Sequence, residues 1–223
     1  MRSVVVTGYV EIPDHPRGRE EYEGLGARLA DLRAAPVSLA RCALDECWLD
    51  VHARGVGVRA ADGGDPAKNS LAYHSVQHQK TAWLAEAAEA YPWAEVMVWV
   101  DYGIFHQPGI TVEVLDAFLR RVRPDEEVAI PGAWERADVA ASVSASAEYP
   151  DWRFLGSSLV VARQLAEPFH DAVRAVTLAR LSRDRLVTWE VNDWAEVERR
   201  GTVPIRWYQA DHDHTQFTSY PDA

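Results

Sequence analysis

The chain has 223 residues, 48% of them hydrophobic, enough to bury a sizeable core and too apolar for a disordered or fibrous protein. Its 34 acids against 23 bases leave a formal net charge of −11, which repels phosphate backbones and disfavours generic nucleic-acid binding. Cys42 and Cys47 make neither a disulfide framework nor a zinc motif, and no apolar run is long enough for a signal peptide or a membrane span, so the pattern predicts a soluble, cytoplasmic protein.

Val4–Val6 followed by Thr7-Gly8-Tyr9 predicts a first strand that runs into a glycine turn. Gly18 to Arg33 sets Tyr22, Leu25, Leu29 and Leu32 at helical spacing, and Pro36 to Ala40 predicts a short second strand. The stretch from Arg54 to Asn69, with five Gly or Pro residues (Gly55, Gly57, Gly63, Gly64, Pro66), predicts a loop. Ser75 to Ala90 is the clearest helix pattern, with Val76, Lys80, Trp83 and Ala87 along one stripe. It leads into Val96–Val100, an apolar, β-branched run of strand length that stops at Asp101-Tyr-Gly.

A helix over Thr111 to Val122 and a strand over Glu127 to Ile130 follow. Pro131 to Arg153 is irregular, with Trp134, Tyr149 and Trp152 among small residues, the pattern of a substrate-facing insertion or of a packed loop. Gly156 to Ala162 resumes strand character, Pro168 to Leu181 and Thr188 to Arg200 read as helices, and Pro204 to Tyr208 is a last strand running into Asp211-His-Asp-His214. Strands separated by helices predict an α/β domain spanning 1–223, with a mainly parallel central sheet flanked by helices. Functional groups then collect above the carboxyl ends of the strands.

Three polar clusters meet that expectation: Asp101-Tyr-Gly with His106 nearby, Glu190-Val-Asn-Asp193, and Asp211-His-Asp-His214. A carboxylate directly after five apolar strand residues has no structural need to be there, and paired with a late histidine it suits a hard divalent cation such as Mg²⁺ or Mn²⁺. Glu190 and Asp193 open a helix between Trp189 and Trp194, a setting that raises carboxylate basicity and suits general-base work as well as capping. Lys80, on an apolar stripe, predicts an ammonium reaching over the strand tips toward a phosphate. No G-x-G-x-x-G or P-loop pattern occurs, which removes weight from dinucleotide and P-loop chemistry.

Thr7-Gly8-Tyr9, the helix carrying Lys80 and the strand ending in Asp101-Tyr-Gly together resemble the nucleotide-sugar-binding half of the GT-A glycosyltransferases. Gly156-Ser-Ser-Leu-Val-Val resembles the small-residue strand that faces the donor sugar there, Glu190-Val-Asn-Asp193 the acidic helix start near the reacting carbon, and His212 a late metal-ligating histidine. The resemblance implies a single Rossmann-like GT-A domain, with 1–130 as the nucleotide-sugar-binding half and 131–223 as the acceptor and catalytic half. It implies donor contacts from Thr7, Gly8, Tyr9, Lys80, Trp83, Gly156 and Ser157, a Mn²⁺ or Mg²⁺ ion on Asp101, His212 and His214, and catalysis by Glu190 and Asp193. The sequence departs from the pattern at Gly103, where the second acid of the D-x-D motif would stand. The activity implied is sugar transfer from a nucleotide-diphosphate donor to a hydroxyl on a small molecule, a glycan or a modified nucleic-acid base. The alternatives are a metal-dependent phosphoester hydrolase built on Asp101, Asp211, His212 and His214, and a catalytically inactive nucleotide-sugar binder.

Overall fold

A computed structural model describes residues 2–13, 15–16, 18–62, 68–135, 138, 149–150 and 152–221. Gly63, Gly64 and Pro66 of the expected loop, and 136–137, 139–148 and 151 of the expected insertion, lie outside the described residues. The chain runs β1 (Ser3–Tyr9), α1 (Arg19–Ala27), β2 (Val37–Arg41), α2 (Trp48–Ala53), β3 (Arg59–Ala60), α3 (Leu71–Ala90), β4 (Val96–Val100), α4 (Val112–Arg121) and β5 (Val128–Gly132). It continues through β6 (Ser158–Ala162), α5 (Arg163–Asp184), β7 (Leu186–Val187), α6 (Glu190–Arg200), β8 (Ile205–Gln209) and α7 (Thr215–Thr218).

Six strands form one sheet in the order β2-β1-β4-β6-β5-β8. The pairs β1/β2, β1/β4 and β5/β8 are parallel, and β6 runs antiparallel between β4 and β5. The sheet is therefore mostly parallel, as its alternation with helices predicts. The strand at Ser158–Ala162 is the exception, so its amino end, not its carboxyl end, meets the tip of β4, where the Asp101 N–H donates to Ser157 O over 2.9 Å.

Strand side chains alternate between two cores, one on each face of the sheet. Met97 and Trp99 pack with Val4 and Val6 against α3, α5 and α6, whereas Val96, Val98 and Val100 pack with Val5 against Leu115 and Phe118 of α4. The two-faced burial explains why Val96–Val100 is apolar throughout. Trp83 of α3 stacks on Trp99 with centroids 5.8 Å apart, and a Cβ at Gly8 would overlap the Trp83 ring, so α3 lies close upon β1.

Helix α3 starts four residues before the predicted Ser75, because the Ser70 hydroxyl caps it by accepting from Tyr73 N at 3.1 Å. Helix α5 likewise begins at Arg163, before Pro168, which sits inside it and not at the first helical position that proline favours. Among the described residues no helix is long and apolar enough to cross a membrane.

His74 lies fully buried on α3, edge-on to Trp189 at 5.5 Å. Burial, reinforced by neighbouring His78, pushes its imidazole down from 6.5 to about 4. The unfolded chain thus binds this proton more readily than the folded one, so His74 adds stability that is complete above pH 6.5 and lost as pH falls toward 4. Urea melts across that window should show the wild type losing about 3 kcal/mol more than His74→Phe. Parallel losses in the two proteins would rule this group out as the acid-sensitive one.

Candidate active site

The carboxyl ends of β1 and β4 and the amino end of β6 open into a cavity of about 630 Å³, large enough for a small-molecule ligand. At its floor lies Lys80, 3% exposed, delivered by the middle of α3. Its ammonium donates to Gly156 O at 2.9 Å and Glu190 Oε1 at 3.0 Å, and pairs with Asp101 Oδ1 at 3.1 Å. Burial works against the charge, but Asp101 and Glu190 outweigh it and hold the lysine above its ordinary pKa. An ammonium has three N–H donors, and these three acceptors use them all. Lys80 therefore orients two carboxylates and has no hydrogen left to donate to a phosphate, unlike the role its stripe position predicts.

Asp101 also accepts from Trp99 Nε1 at 2.8 Å through the same Oδ1. Trp99 stands two residues earlier on the strand and so shares its face with Asp101, a partnership that the period of two makes readable in advance. Glu190 occupies the first position of α6, is 2% exposed, and keeps Oε2 buried without a hydrogen-bond partner. An ionised oxygen in that condition is costly unless a ligand completes it.

Of the residues expected at the donor, Gly8, Tyr9, Lys80, Trp83, Gly156 and Ser157 line the cavity, together with Asp101, Glu190 and His212. Thr7 is fully buried beneath it and does not reach the wall. Ser157 donates to Gln216 Oε1 at 2.5 Å, an anchor from α7 that sequence spacing does not reveal. A Cβ at Gly156 would overlap Glu190 Oε1 and stand 3.3 Å from Lys80 Nζ. Gly156→Ala is expected to displace the Glu190 carboxylate and lower turnover about a hundredfold, with thermal melting checking that the fold survives. Unchanged turnover would mean the carboxylate geometry is not what sets the rate.

Asp193 is placed elsewhere. One turn beyond Glu190, it is fully buried away from the cavity and accepts from Thr177 Oγ1 at 2.6 Å, His78 Nε2 at 3.1 Å and Arg180 Nη2 at 2.7 Å. Desolvation raises its pKa, but His78, Arg180 and Thr177 together hold it below the usual aspartate value. It braces α6 against α3 and α5 and touches no cavity atom.

The proposed metal set does not assemble. Asp101 Oδ1 is committed to Lys80 and Trp99. A side chain at position 103 would begin 2.9 Å from the Tyr22 ring, so packing of α1 leaves no room for a second acid there without moving Tyr22. His214 packs on Gly109, and its backbone N–H donates to Pro108 O at 3.0 Å. His212 does face the cavity, its imidazole pKa lowered by partial burial. Among the described residues no three His, Cys, Asp or Glu side chains come together to hold an ion. This donor set does not fit a resident divalent cation.

A cavity at the strand tips of a mostly parallel sheet, walled by a buried lysine and two carboxylates, stands where α/β proteins commonly place a ligand site. In fold the chain is similar to a solved glycosyltransferase involved in glycosylation of the major capsid of PBCV-1, with a TM-score of 0.55 at 10% identity over 95% of this chain and 82% of that one. No family model matches the sequence, and no curated protein does.

Proposed function

We propose that this chain transfers a sugar from a nucleotide-diphosphate donor to a hydroxyl acceptor. The observation that carries the reading is the Glu190 carboxylate: one oxygen pinned by Lys80, the other buried, unpartnered and beside the cavity, on a glycosyltransferase fold. In such a transfer the bond from the anomeric carbon to the diphosphate breaks and a bond to the acceptor oxygen forms. The acceptor's proton passes to Glu190 Oε2 if configuration inverts; if it is retained, the proton passes to the departing diphosphate and Oε2 faces the positive charge developing on the sugar.

Because Lys80 is saturated, charge on the departing diphosphate falls to the other cations of the wall, Arg19 and Lys68. Tyr9, Tyr22 and Tyr102, with Arg41 over the Tyr9 and Tyr102 rings at 5.5 and 5.8 Å, form an aromatic flank at the end of β1 suited to a nucleobase. The hydrolase alternative requires Asp101, Asp211, His212 and His214 around a metal, and these do not gather among the described residues.

The test is thermal melting against UDP-, GDP-, dTDP- and CDP-sugars, each with Mn²⁺, Mg²⁺ or EDTA, followed by assay of nucleoside-diphosphate release. At least one donor should stabilise the fold, by about 2.7 kcal/mol at a hundred times its Kd. Stabilisation with no turnover would leave a binder. Silence across the panel, with turnover of a phosphodiester reporter, would sink the transferase reading in favour of the hydrolase.

A further inference from the structure

The aromatic wall of the cavity runs on from Tyr9 and Tyr22 through His15 and Tyr73 to Trp189 and Trp152. The sheet order puts β1 on one side of β4 and β6 on the other, so Tyr9 and Ser157 flank Asp101 from opposite directions. At the end of that wall Trp152 and Trp189 stand with ring centroids 6.0 Å apart. Trp152 is also held edge-on by His212 at 4.8 Å and 88°. It nevertheless remains 39% exposed, whereas Trp189 is 6% exposed and continues directly into Glu190. An indole fixed by two neighbouring rings and left open on a cavity wall is a platform that costs little conformational entropy to use.

The surroundings of that platform select its occupant. Glu190 Oε2 and the indole N–H of Trp189 are both buried without hydrogen-bond partners, and the His212 imidazole lies beside the open ring. A part-exposed indole beside an imidazole, and beside a carboxylate oxygen and an indole N–H that lack partners, does not suit a lipid tail, which needs an apolar wall free of such groups. It suits a ring with an apolar C–H face and a rim of hydroxyls. Resting on the sugar-transfer reading, we propose that the acceptor is itself a carbohydrate, whose ring stacks on Trp152 and whose attacking hydroxyl points to Glu190 Oε2.

The experiment compares wild type with Trp152→Ala, Trp152→Phe and Trp93→Ala. Trp93 is equally exposed, at 39%, but precedes the amino end of β4, at the other end of that strand from the cavity, and controls for loss of a surface indole. The donor is the one that stabilises the fold best. The acceptor probes are methyl glucosides, galactosides, mannosides and N-acetylglucosaminides, their disaccharides, a phenol and glycerol. A sugar should be the preferred acceptor, its KM rising about ten- to a hundredfold in Trp152→Ala and returning most of the way in Trp152→Phe. Donor Kd, measured by calorimetry, should stay within twofold of wild type. The proposal is overturned if the phenol or glycerol is taken in preference to every sugar, or if Trp152→Ala moves acceptor KM no further than Trp93→Ala does. Wild type that binds no donor at all would overturn the transferase reading, and this proposal with it; donor binding with unaffected acceptor KM removes the Trp152 platform alone.

Discussion

Glu190→Gln is expected to lower donor turnover by about a hundred- to ten-thousandfold while leaving donor affinity near wild type, at a moderate cost in melting temperature from the lost ionic part of the Lys80 contact. The amide keeps the shape of the side chain and an oxygen for the Lys80 ammonium, so the 3.0 Å contact survives. What disappears is the anionic oxygen that has no partner within the protein. A group that accepts a proton or faces a cationic carbon cannot be replaced by a neutral amide, whereas one that only fills space can. Calorimetry with the donor and steady-state release of nucleoside diphosphate separate the two outcomes. Turnover within threefold of wild type would remove Glu190 from the chemistry. Lys80→Met is the contrasting variant: it leaves Asp101 and Glu190 without their shared cation, and should cost more stability than the amide does, as well as rate.

Much of the scaffold under this site could be read from the chain because it depends on local pattern. Val96–Val100 is apolar at every position since both faces of β4 are covered, and that pattern alone puts Asp101 at a strand tip. Lys80 sits on the buried stripe of α3, so its inward direction was also legible. The use of its three hydrogens was not, because Gly156 and Glu190 lie 76 and 110 residues further along the chain and only the fold brings them near. Strand direction was the other hidden quantity: Ser158–Ala162 has the same apolar pattern whether it runs parallel or antiparallel. The glycine at position 103 shows the same limit. It reads as a missing ligand in sequence, and in the structure as the residue that accommodates the Tyr22 ring.

Glu190 and Asp193 were indistinguishable as sequence, two acids in the first turn of one helix, and their expected phenotypes now differ in kind. Asp193→Ala should destabilise the fold by about 3–5 kcal/mol, the cost of leaving buried charge and hydrogen-bond donors unpaired. The donors left behind are Arg180, which gives both Nε and Nη2 to Oδ1, the His78 ring, and the Thr177 hydroxyl. Arg180 is 12% exposed and cannot simply turn into water, and His78 is fully buried. Asp193→Asn keeps the volume and one acceptor, so it should lose less than alanine but still forfeit the ionic part of the Arg180 contact. Because the network holds α6 to α3 and α5, its loss should loosen the whole helix that presents Glu190. Urea denaturation reads the stability change, and turnover measured at low temperature, where the folded fraction of either variant is restored, reads the chemistry. Near-normal turnover of the folded fraction identifies Asp193 as a structural anchor. A loss as deep as that of Glu190→Gln, in protein shown to be folded, would instead return Asp193 to the reaction.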